Sequence, residues 1–158
     1  METVSGDLFV KAGSRFALVV SEFNSLITSQ LADGALQCLL RHGAKPDQIT
    51  QFLVPGAFEI PTVAKALAKS NKYAAVICLA CVIRGATDHY DHVAGQIARG
   101  AGAIGPETGV PVLFGVITAD TQEQALDRAG LKMGNAGWNA ALAAISTASI
   151  LAKIKASE

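Results

Sequence analysis

The stretch CVIRGATDHYDHV, residues 81–93, concentrates the side chains of this chain that can do chemistry. An apolar run ends at Arg84, and two Asp, two His, a Thr and a Tyr follow within the next few positions. Such a stretch is compatible with a metal site, a phosphate cradle, an acid/base centre, or only the polar start of a helix. The spacing of the side chains bears on each of these four interpretations.

Helical geometry argues against a metal site in this stretch. Adjacent helical positions lie ~100 degrees apart and do not share a face. Only Asp88 with Asp91 or His92, or His89 with His92, can therefore act together. The sequence contains no further ligand cluster to complete a coordination shell, so we predict no metal.

The tripeptide Gly-Ala-Thr at residues 85–87 is suited to hold an anion at a helix start. Glycine lets the backbone approach a ligand, free N–H groups point outward, and the helix dipole favours negative charge. Histidine changes its charge near cellular pH, so His89, one turn into the helix, can exchange protons with the bound group. An ordinary N-cap and a partly exposed helix histidine explain the same residues without a ligand. From the residues alone, both interpretations stay open.

Polar and aromatic residues also follow two other predicted strands. Phe23 and Phe58 can stack on a planar ring, and Glu59 can accept hydrogen bonds from ring or sugar groups. Arg128 and Lys132, four positions apart, can supply positive charge to a phosphate. Each of these is also typical of a core residue, a helix cap or a pair of solvated cations, so the hypothesis depends on their convergence.

These residues need elements to position them, and apolar runs alternate with amphipathic segments along the chain. Strands are predicted over residues 15–21, 49–54, 73–83 and 110–118. Helices are predicted from the residues after Asn24 to a stop at Gly43, around 61–70, from 85–88 to about 100, over 121–130, and over 138–155, with Thr121 and Gln124 forming a capping box.

Strands alternating with helices are typical of a parallel sheet covered on both faces. We predict an α/β fold: a flavodoxin-like, three-layer α/β/α sandwich with a mainly parallel four-stranded sheet. Its 158 residues fit one domain, with residues 1–14 as an N-terminal arm. Ligands in such folds bind beyond the carboxyl ends of the strands, which is where the candidate residues lie.

The composition bears on the partners of the chain. Hydrophobic residues make up 51% and charged residues 16%, against roughly 25% charged in an ordinary domain. This deficit indicates that much of the surface is buried against further copies. Thirteen basic residues balance thirteen acidic ones, so we expect no nucleic-acid partner and no membrane partner. No secretory signal and no span of ~20 apolar residues is present, and we predict a cytoplasmic protein.

Two motifs are misleading. Cys78 and Cys81 have a C-x-x-C spacing, but they lie in a predicted strand, where positions three apart face opposite sides. We expect buried, unreactive thiols there. Residues 100–105 match G-x-G-x-x-G, yet they follow a helix instead of a strand. We interpret them as a glycine-rich helix exit and predict no nucleotide binding.

The chain closely resembles lumazine synthases over nearly its whole length, from about Gly13 to Lys153, and five segments in order carry the resemblance. They are Phe23-Asn24, VPGAFEIP at 54–61, VIRGATDHYDHV at 82–93, PVLFGVIT at 111–118, and the run from Gln124 to Asn135. The resemblance implies an enzyme that condenses 5-amino-6-(D-ribitylamino)uracil with 3,4-dihydroxy-2-butanone 4-phosphate. The products would be 6,7-dimethyl-8-ribityllumazine, phosphate and water, formed without metal or cofactor, in riboflavin biosynthesis.

The resemblance also assigns roles to residues by motif position. Phe23 would stack on the pyrimidine; Ala57, Phe58 and Glu59 would line the ribityl chain; and Cys81, Val82 and Ile83 would meet the ring edge through backbone groups. Gly85, Ala86 and Thr87 would hold the phosphate, and His89 would carry protons. Phe114 and Arg128 would come from the neighbouring subunit, Arg128 pairing with the phosphate and Lys132 adding positive charge.

The resemblance further implies pentamers, in many members twelve of them in a hollow 60-subunit shell, sometimes with a riboflavin synthase as partner. Residues 7–10 would add a strand to a neighbour, and RAGLKMGNAG at 128–137 has no insertion, as in shell-forming members. Two departures are Ala136 in place of a usual Lys, and Ala80 in place of a usual Gly. Alternatives are an archaeal-type riboflavin synthase and a structural shell protein without catalysis, the latter disfavoured by intact Phe23, Glu59, His89 and Arg128.

Overall fold

The computed structural model describes residues 1–158 and contains four strands and five α-helices. The strands are β1 (Phe16–Ser21), β2 (Ile49–Val54), β3 (Ala75–Ile83) and β4 (Val112–Ala119). The helices are α1 (Ser25–Arg41), α2 (Ile60–Lys69), α3 (His89–Thr108), α4 (Gln122–Arg128) and α5 (Ala136–Ala156). None of these helices combines the length and hydropathy needed to cross a bilayer.

The strands form one parallel sheet in the order β2-β1-β3-β4. Parallel neighbours require crossover connections, and the connecting helices cover both faces of the sheet. One buried cluster joins the sheet to α1, α4 and α5, and a second joins it to α2 and α3. The predicted flavodoxin-like three-layer α/β/α fold is confirmed.

Strand β3 is the central element of both clusters. It is hydrogen-bonded to β1 on one side and β4 on the other, and every residue from Ala75 to Val82 is buried. Cys78 packs in the α2–α3 cluster and Cys81 in the α1–α5 cluster. The two sulfurs therefore face opposite sides of the sheet, as predicted, and all three cysteines of the chain are free and buried.

Helix α3 differs from its prediction at both ends. It begins at His89 and runs to Thr108, ending at Gly109 with φ 74°. The G-x-G-x-x-G segment therefore lies inside the helix, and the predicted helix exit near residue 100 was wrong. A Cβ on Gly100 would lie 2.7 Å from the Cβ of Pro61, so glycine is accommodated there because α2 and α3 pack closely.

The N-terminal arm lies along α5 of its own chain and forms no strand. The Asp7 carboxylate accepts hydrogen bonds from Lys153 Nζ at 2.7 Å and Ser149 Oγ at 3.1 Å, which hold the pKa of Asp7 below its ordinary value. The Val10 N–H donates to His42 O at 2.8 Å. The addition of residues 7–10 to a neighbouring subunit stays a prediction.

Candidate active site

A cavity of about 580 Å³ lies at the carboxyl ends of β1, β2 and β3. The predicted site residues that line it are Phe23, Ala57, Phe58, Glu59, Cys81, Val82, Ile83, Gly85, Thr87 and His89. The lining residues without a predicted role are Ser21, Asn24, Gly56, Tyr90 and Val93. Ala86 adjoins the cavity between two lining residues, while Phe114, Arg128 and Lys132 lie outside it.

The end of β1 presents Phe23 through an unusual backbone turn. Asn24, the N-cap of α1, has left-handed torsion angles of φ 57° and ψ 45°, which Asn tolerates better than most residues. Its Nδ2 donates to Cys81 O at 2.9 Å and so ties the end of β1 to β3. The Phe23 side chain is 69% exposed. An Asn three positions after the end of β1 was the signal for this tie.

The end of β2 leads within one short turn, Ala57–Glu59, into α2. The Glu59 carboxylate accepts no hydrogen bond within the chain and is exposed. A Cβ on Gly56 would lie 3.0 Å from Glu59 Oε2, so glycine leaves room for this carboxylate. Both carboxylate oxygens are therefore available to hydroxyl donors of a ligand.

The end of β3 overhangs β1 and exposes a backbone edge. Pairing with β1 stops at Val20↔Leu79, whereas pairing with β4 continues to Ile83↔Ala119. Asn24 takes the carbonyl of Cys81 on the uncovered edge. Alternate residues of a strand direct their N–H and C=O groups to the same edge. The N–H and C=O of Ile83 therefore lie on the same uncovered edge as Cys81 O and can hydrogen-bond to the edge of a planar ring.

The Cys81 thiol itself is a poor reacting group. Burial raises the pKa of Cys81 to about 11, and burial raises the pKa of Cys78 to about 12. Thiols with such pKa values are protonated at neutral pH, and a protonated thiol is a poor nucleophile. Cys81 contributes shape and backbone atoms to the cavity.

The segment from Gly85 to His89 is exposed and leads into α3. The N-cap, Asp88, makes no side-chain capping bond, and the His89 N–H makes only a long 3.4 Å contact with Thr87 Oγ1. No atom lies within 4 Å of the Cβ position of Gly85. The helix start thus offers open backbone N–H groups with the positive end of the dipole, which together favour an anion.

The His89 imidazole makes no hydrogen bond within the chain and lines the cavity directly. It is therefore free to exchange protons with a ligand. No three His, Cys, Asp or Glu side chains come together in an arrangement that could hold a metal ion.

Arg84 fixes the base of this segment, a role that the sequence did not reveal. Its Nε donates to Asp120 Oδ1 at 3.0 Å, and this hydrogen bond raises the pKa of Arg84. Its guanidinium lies 4.4 Å from the ring centroid of Tyr90. The Arg84–Asp120 bond joins the ends of β3 and β4.

The capping box predicted for Thr121 and Gln124 differs in one bond. Gln124 Oε1 accepts from the N–H of Asp120 at 3.0 Å and not from that of Thr121.

Phe114, Arg128 and Lys132 are exposed and do not line the candidate cavity. Arg128 ends α4, and Lys132 lies in the loop of residues 129–135, called loop 129–135 below. Leu131 and Met133 in this loop are 73% and 64% exposed. The assignment of Phe114 and Arg128 to a neighbouring subunit's site stays a prediction.

A larger cleft, of about 970 Å³, lies at the opposite end of the sheet. It is bounded by the N-terminal arm, the amino ends of β1 and β4, and the last turns of α5. None of the predicted site residues lines it. The smaller cavity is the candidate active site, because the open helix start, the free carboxylate and the free imidazole lie there.

Residues 13–152 match the family model described as 6,7-dimethyl-8-ribityllumazine synthase. Over 154 residues the chain is 49% identical to the 6,7-dimethyl-8-ribityllumazine synthase of Syntrophus aciditrophicus, strain SB. This alignment covers 98% of the chain and 100% of the relative. The chain therefore belongs to the 6,7-dimethyl-8-ribityllumazine synthase family.

Proposed function

We propose that the cavity condenses 5-amino-6-(D-ribitylamino)uracil with 3,4-dihydroxy-2-butanone 4-phosphate to give 6,7-dimethyl-8-ribityllumazine, phosphate and water. One observation carries the proposal: three strand ends converge on a cavity that combines an aromatic ring, an exposed backbone edge, a free carboxylate and an imidazole beside a helix start. Each of these groups corresponds to one part of the two substrates.

The pyrimidine binds between Phe23 and the end of β3. The Phe23 ring stacks on the heterocycle, while backbone groups of residues 81–83, those of Ile83 above all, bond to its edge. The Asn24 bond to Cys81 O holds these two elements at a constant separation. The planar substrate is thus held on a face and on an edge, which fixes the direction of its amino group.

The ribityl chain lies along Ala57, Phe58 and Glu59. Its hydroxyls donate to the Glu59 carboxylate, and charge-assisted bonds of this kind are stronger than neutral ones. Ala57 is buried and Phe58 half-exposed, so they give the chain an apolar wall. This contact supplies binding energy away from the reacting atoms.

The phosphate of the ketone binds at the start of α3, between Gly85, Ala86 and Thr87. The free N–H groups of this turn donate to its oxygens, and Arg128 of the adjacent subunit pairs with it. Lys132 adds to the positive potential. These charges stabilise the phosphate dianion as it leaves.

His89 carries protons between the steps. The amino group of the pyrimidine adds to the ketone and water leaves to form an imine; phosphate is then eliminated, and the second nitrogen adds to the resulting carbonyl and closes the ring with loss of a second water. Each step transfers a proton, and one well-placed histidine contributes ~10²–10⁴-fold. The remaining acceleration comes from holding both substrates in attack geometry.

Homo-oligomeric assembly completes this site, and we propose a pentamer that can associate into a 60-subunit shell. The exposed side chains of Phe114 in β4 and of Leu131 and Met133 in loop 129–135 support an interface between subunits at these positions. A riboflavin synthase as a further partner and a cytoplasmic location belong to the same proposal. Free, buried cysteines are in keeping with a reducing compartment.

The test mixes purified protein with both substrates, in the presence of a chelator, and follows lumazine formation against a protein-free blank. Acceleration is expected. A well-assembled oligomer that gives none would favour a structural shell protein. Conversion of added lumazine to riboflavin would favour the riboflavin synthase alternative.

A second experiment tests whether the site is shared between subunits. His89→Ala and Arg128→Ala chains with different tags are co-expressed, and hybrid oligomers are isolated through both tags. If Arg128 acts on the neighbouring cavity, about a quarter of the sites in a randomly mixed ring regain both residues. Hybrids no more active than either parent would mean that Arg128 does not act across the interface.

A further inference from the structure

Asn135, the N-cap of α5, uses the full hydrogen-bonding capacity of its side chain. Its Oδ1 accepts from the N–H groups of Gly137 at 2.8 Å and Trp138 at 3.1 Å. Its Nδ2 donates to Gln30 O at 2.9 Å and to Ala129 O at 3.2 Å. An Asn amide has two donor hydrogens and two acceptor lone pairs, so all four are satisfied.

These bonds join three separate parts of the chain. Gln30 belongs to α1 and lies 105 positions away, whereas Ala129 directly follows Arg128. A β-bridge between Ala129 and Asn135 closes loop 129–135 at its base. The end of α4 is thereby held against the two helices that pack together on this face of the sheet.

Neighbouring glycines support this arrangement. A Cβ on Gly34 would overlap the Asn135 amide, so glycine lets the amide lie directly on α1. Gly130, with φ 110°, turns the chain at the first position of the loop after Ala129, a conformation that other residues adopt at a cost. The contact between α1 and the loop is therefore built from several positions.

Arg128 has no comparable support of its own. Its guanidinium makes no hydrogen bond, ion pair or aromatic contact within the chain, and the residue is exposed. The backbone at the end of α4, including Ala129, sets the point from which it projects. The same loop carries Lys132, whose N–H donates to Asp127 O at 3.2 Å.

We propose that Asn135 is a positioning residue for the phosphate-binding half of the site. By bonding to Ala129 O and Gln30 O, it fixes where Arg128 stands relative to the neighbouring cavity, without contacting substrate. The inference rests on the proposed function, because it assigns Asn135 an effect on the ketone phosphate only through Arg128.

The test uses Asn135→Ser and Asn135→Asp, which keep an acceptor for the start of α5 and remove both Nδ2 donors. Asn139→Ser is the matched control: Asn139 is exposed on the same helix and its side chain makes no hydrogen bond. KM for each substrate, kcat, thermal unfolding and particle size are measured for assembled protein.

Both Asn135 variants are expected to raise KM for the ketone phosphate about fivefold to tenfold, with KM for the aminopyrimidine unchanged. Combining Asn135→Ser with Arg128→Ala is expected to add nothing to the effect of Arg128→Ala, since both act through one contact. Asn139→Ser is expected to match the unaltered protein.

Five outcomes overturn the inference. An unchanged phosphate KM in both variants, or effects that add to those of Arg128→Ala, would remove the link to Arg128. Equal damage to both KM values, or failure of both variants to assemble, would make Asn135 a general structural residue. If Arg128→Ala itself leaves the phosphate KM unchanged, the phosphate assignment under the proposed function fails, and this inference fails with it.

Discussion

The cavity and loop 129–135 carry two halves of the proposed site, and they are built differently. The cavity is formed by three adjacent strand ends of a buried parallel sheet, with one cross-strand bond from Asn24. The loop lies at the surface; backbone bonds fold it onto the end of α4, and the Asn135 side chain bonds to α1, to Ala129 and to the start of α5. The first half is a consequence of the fold, and in the second one side chain bonds the loop to α1.

This difference supports the proposal that a complete site needs a second subunit. The cavity presents its groups inward, toward a ligand, whereas the loop exposes Leu131, Lys132 and Met133 outward. Large apolar side chains exposed together are typical of an interface. A second subunit is expected both to cover them and to receive the cations beside them.

The largest expected effect falls on the cavity half. His89→Ala is expected to lower kcat by ~10²–10⁴-fold, because the proton carrier is removed. Thermal unfolding and particle size should be unchanged, since the imidazole makes no contact that holds the fold. Loss of assembly together with activity would make His89 structural. His92→Ala, an exposed change one turn along that does not line the cavity, is the control.

A smaller effect is expected in the loop half. Arg128→Ala should raise KM for the ketone phosphate about 10- to 100-fold, the range of a hydrogen bond to a charged group. KM for the aminopyrimidine should change little. Lys132→Ala should have a smaller effect of the same kind. Steady-state kinetics with each substrate varied separately measures the two KM values in each variant. A larger rise in the ketone phosphate KM in Lys132→Ala than in Arg128→Ala would assign the phosphate contact to Lys132.

Phe23→Ala is expected to impair binding of the other substrate, the aminopyrimidine. Loss of stacking should raise KM for the aminopyrimidine by up to about tenfold and leave that for the ketone phosphate unchanged. Phe9→Ala is the control, because Phe9 is as exposed as Phe23, 68% against 69%, and lines the amino-end cleft. If Phe9→Ala also raises KM for the aminopyrimidine, the cleft at the amino ends of the strands takes part in substrate binding.

The smallest effect on catalysis is expected at Cys81. Cys81→Ala should leave kcat unchanged, since burial raises the pKa of this thiol from 9.0 to about 11 and keeps it protonated. A large fall in kcat would give the sulfur a chemical role.

The same pKa shift predicts how stability depends on pH. Between about pH 9 and 11 the unfolded chain loses the Cys81 proton while the folded chain keeps it, so the free energy of unfolding falls as pH rises. Urea unfolding across this range should show a shallower fall in Cys81→Ala, with Cys38 and Cys78, whose pKa values burial also raises, still contributing. A fall of the same steepness in the variant would contradict this prediction.

Much of the fold could be predicted from the sequence because its signals are local. The apolar run that becomes β3, the four-residue repeat of α1 and the glycine after it each depend on neighbouring residues. In a parallel sheet the carboxyl ends share one edge, so Phe23, Glu59 and His89 were expected to converge before any contact was known. The five matching motifs then supplied the substrates.

The helix limits of α3 could not be predicted in this way. Gly100 is unfavourable inside a helix by propensity, and only the close approach of Pro61 explains its place there. The clamp of Arg84 to Asp120 likewise joins two strand ends that are 36 positions apart. The residues that surround each partner along the sequence do not indicate either of these contacts.

The sequence by itself determined the layers, the direction of the strands and the chemical groups at their ends. Tertiary structure decided how far β3 extends beyond β1, which carbonyl Asn24 binds, and where Asn135 holds the end of α4. Hydrophobic periodicity is set by neighbours along the chain, whereas strand register and side-chain bonds over 57 or 105 positions exist only after the layers have packed.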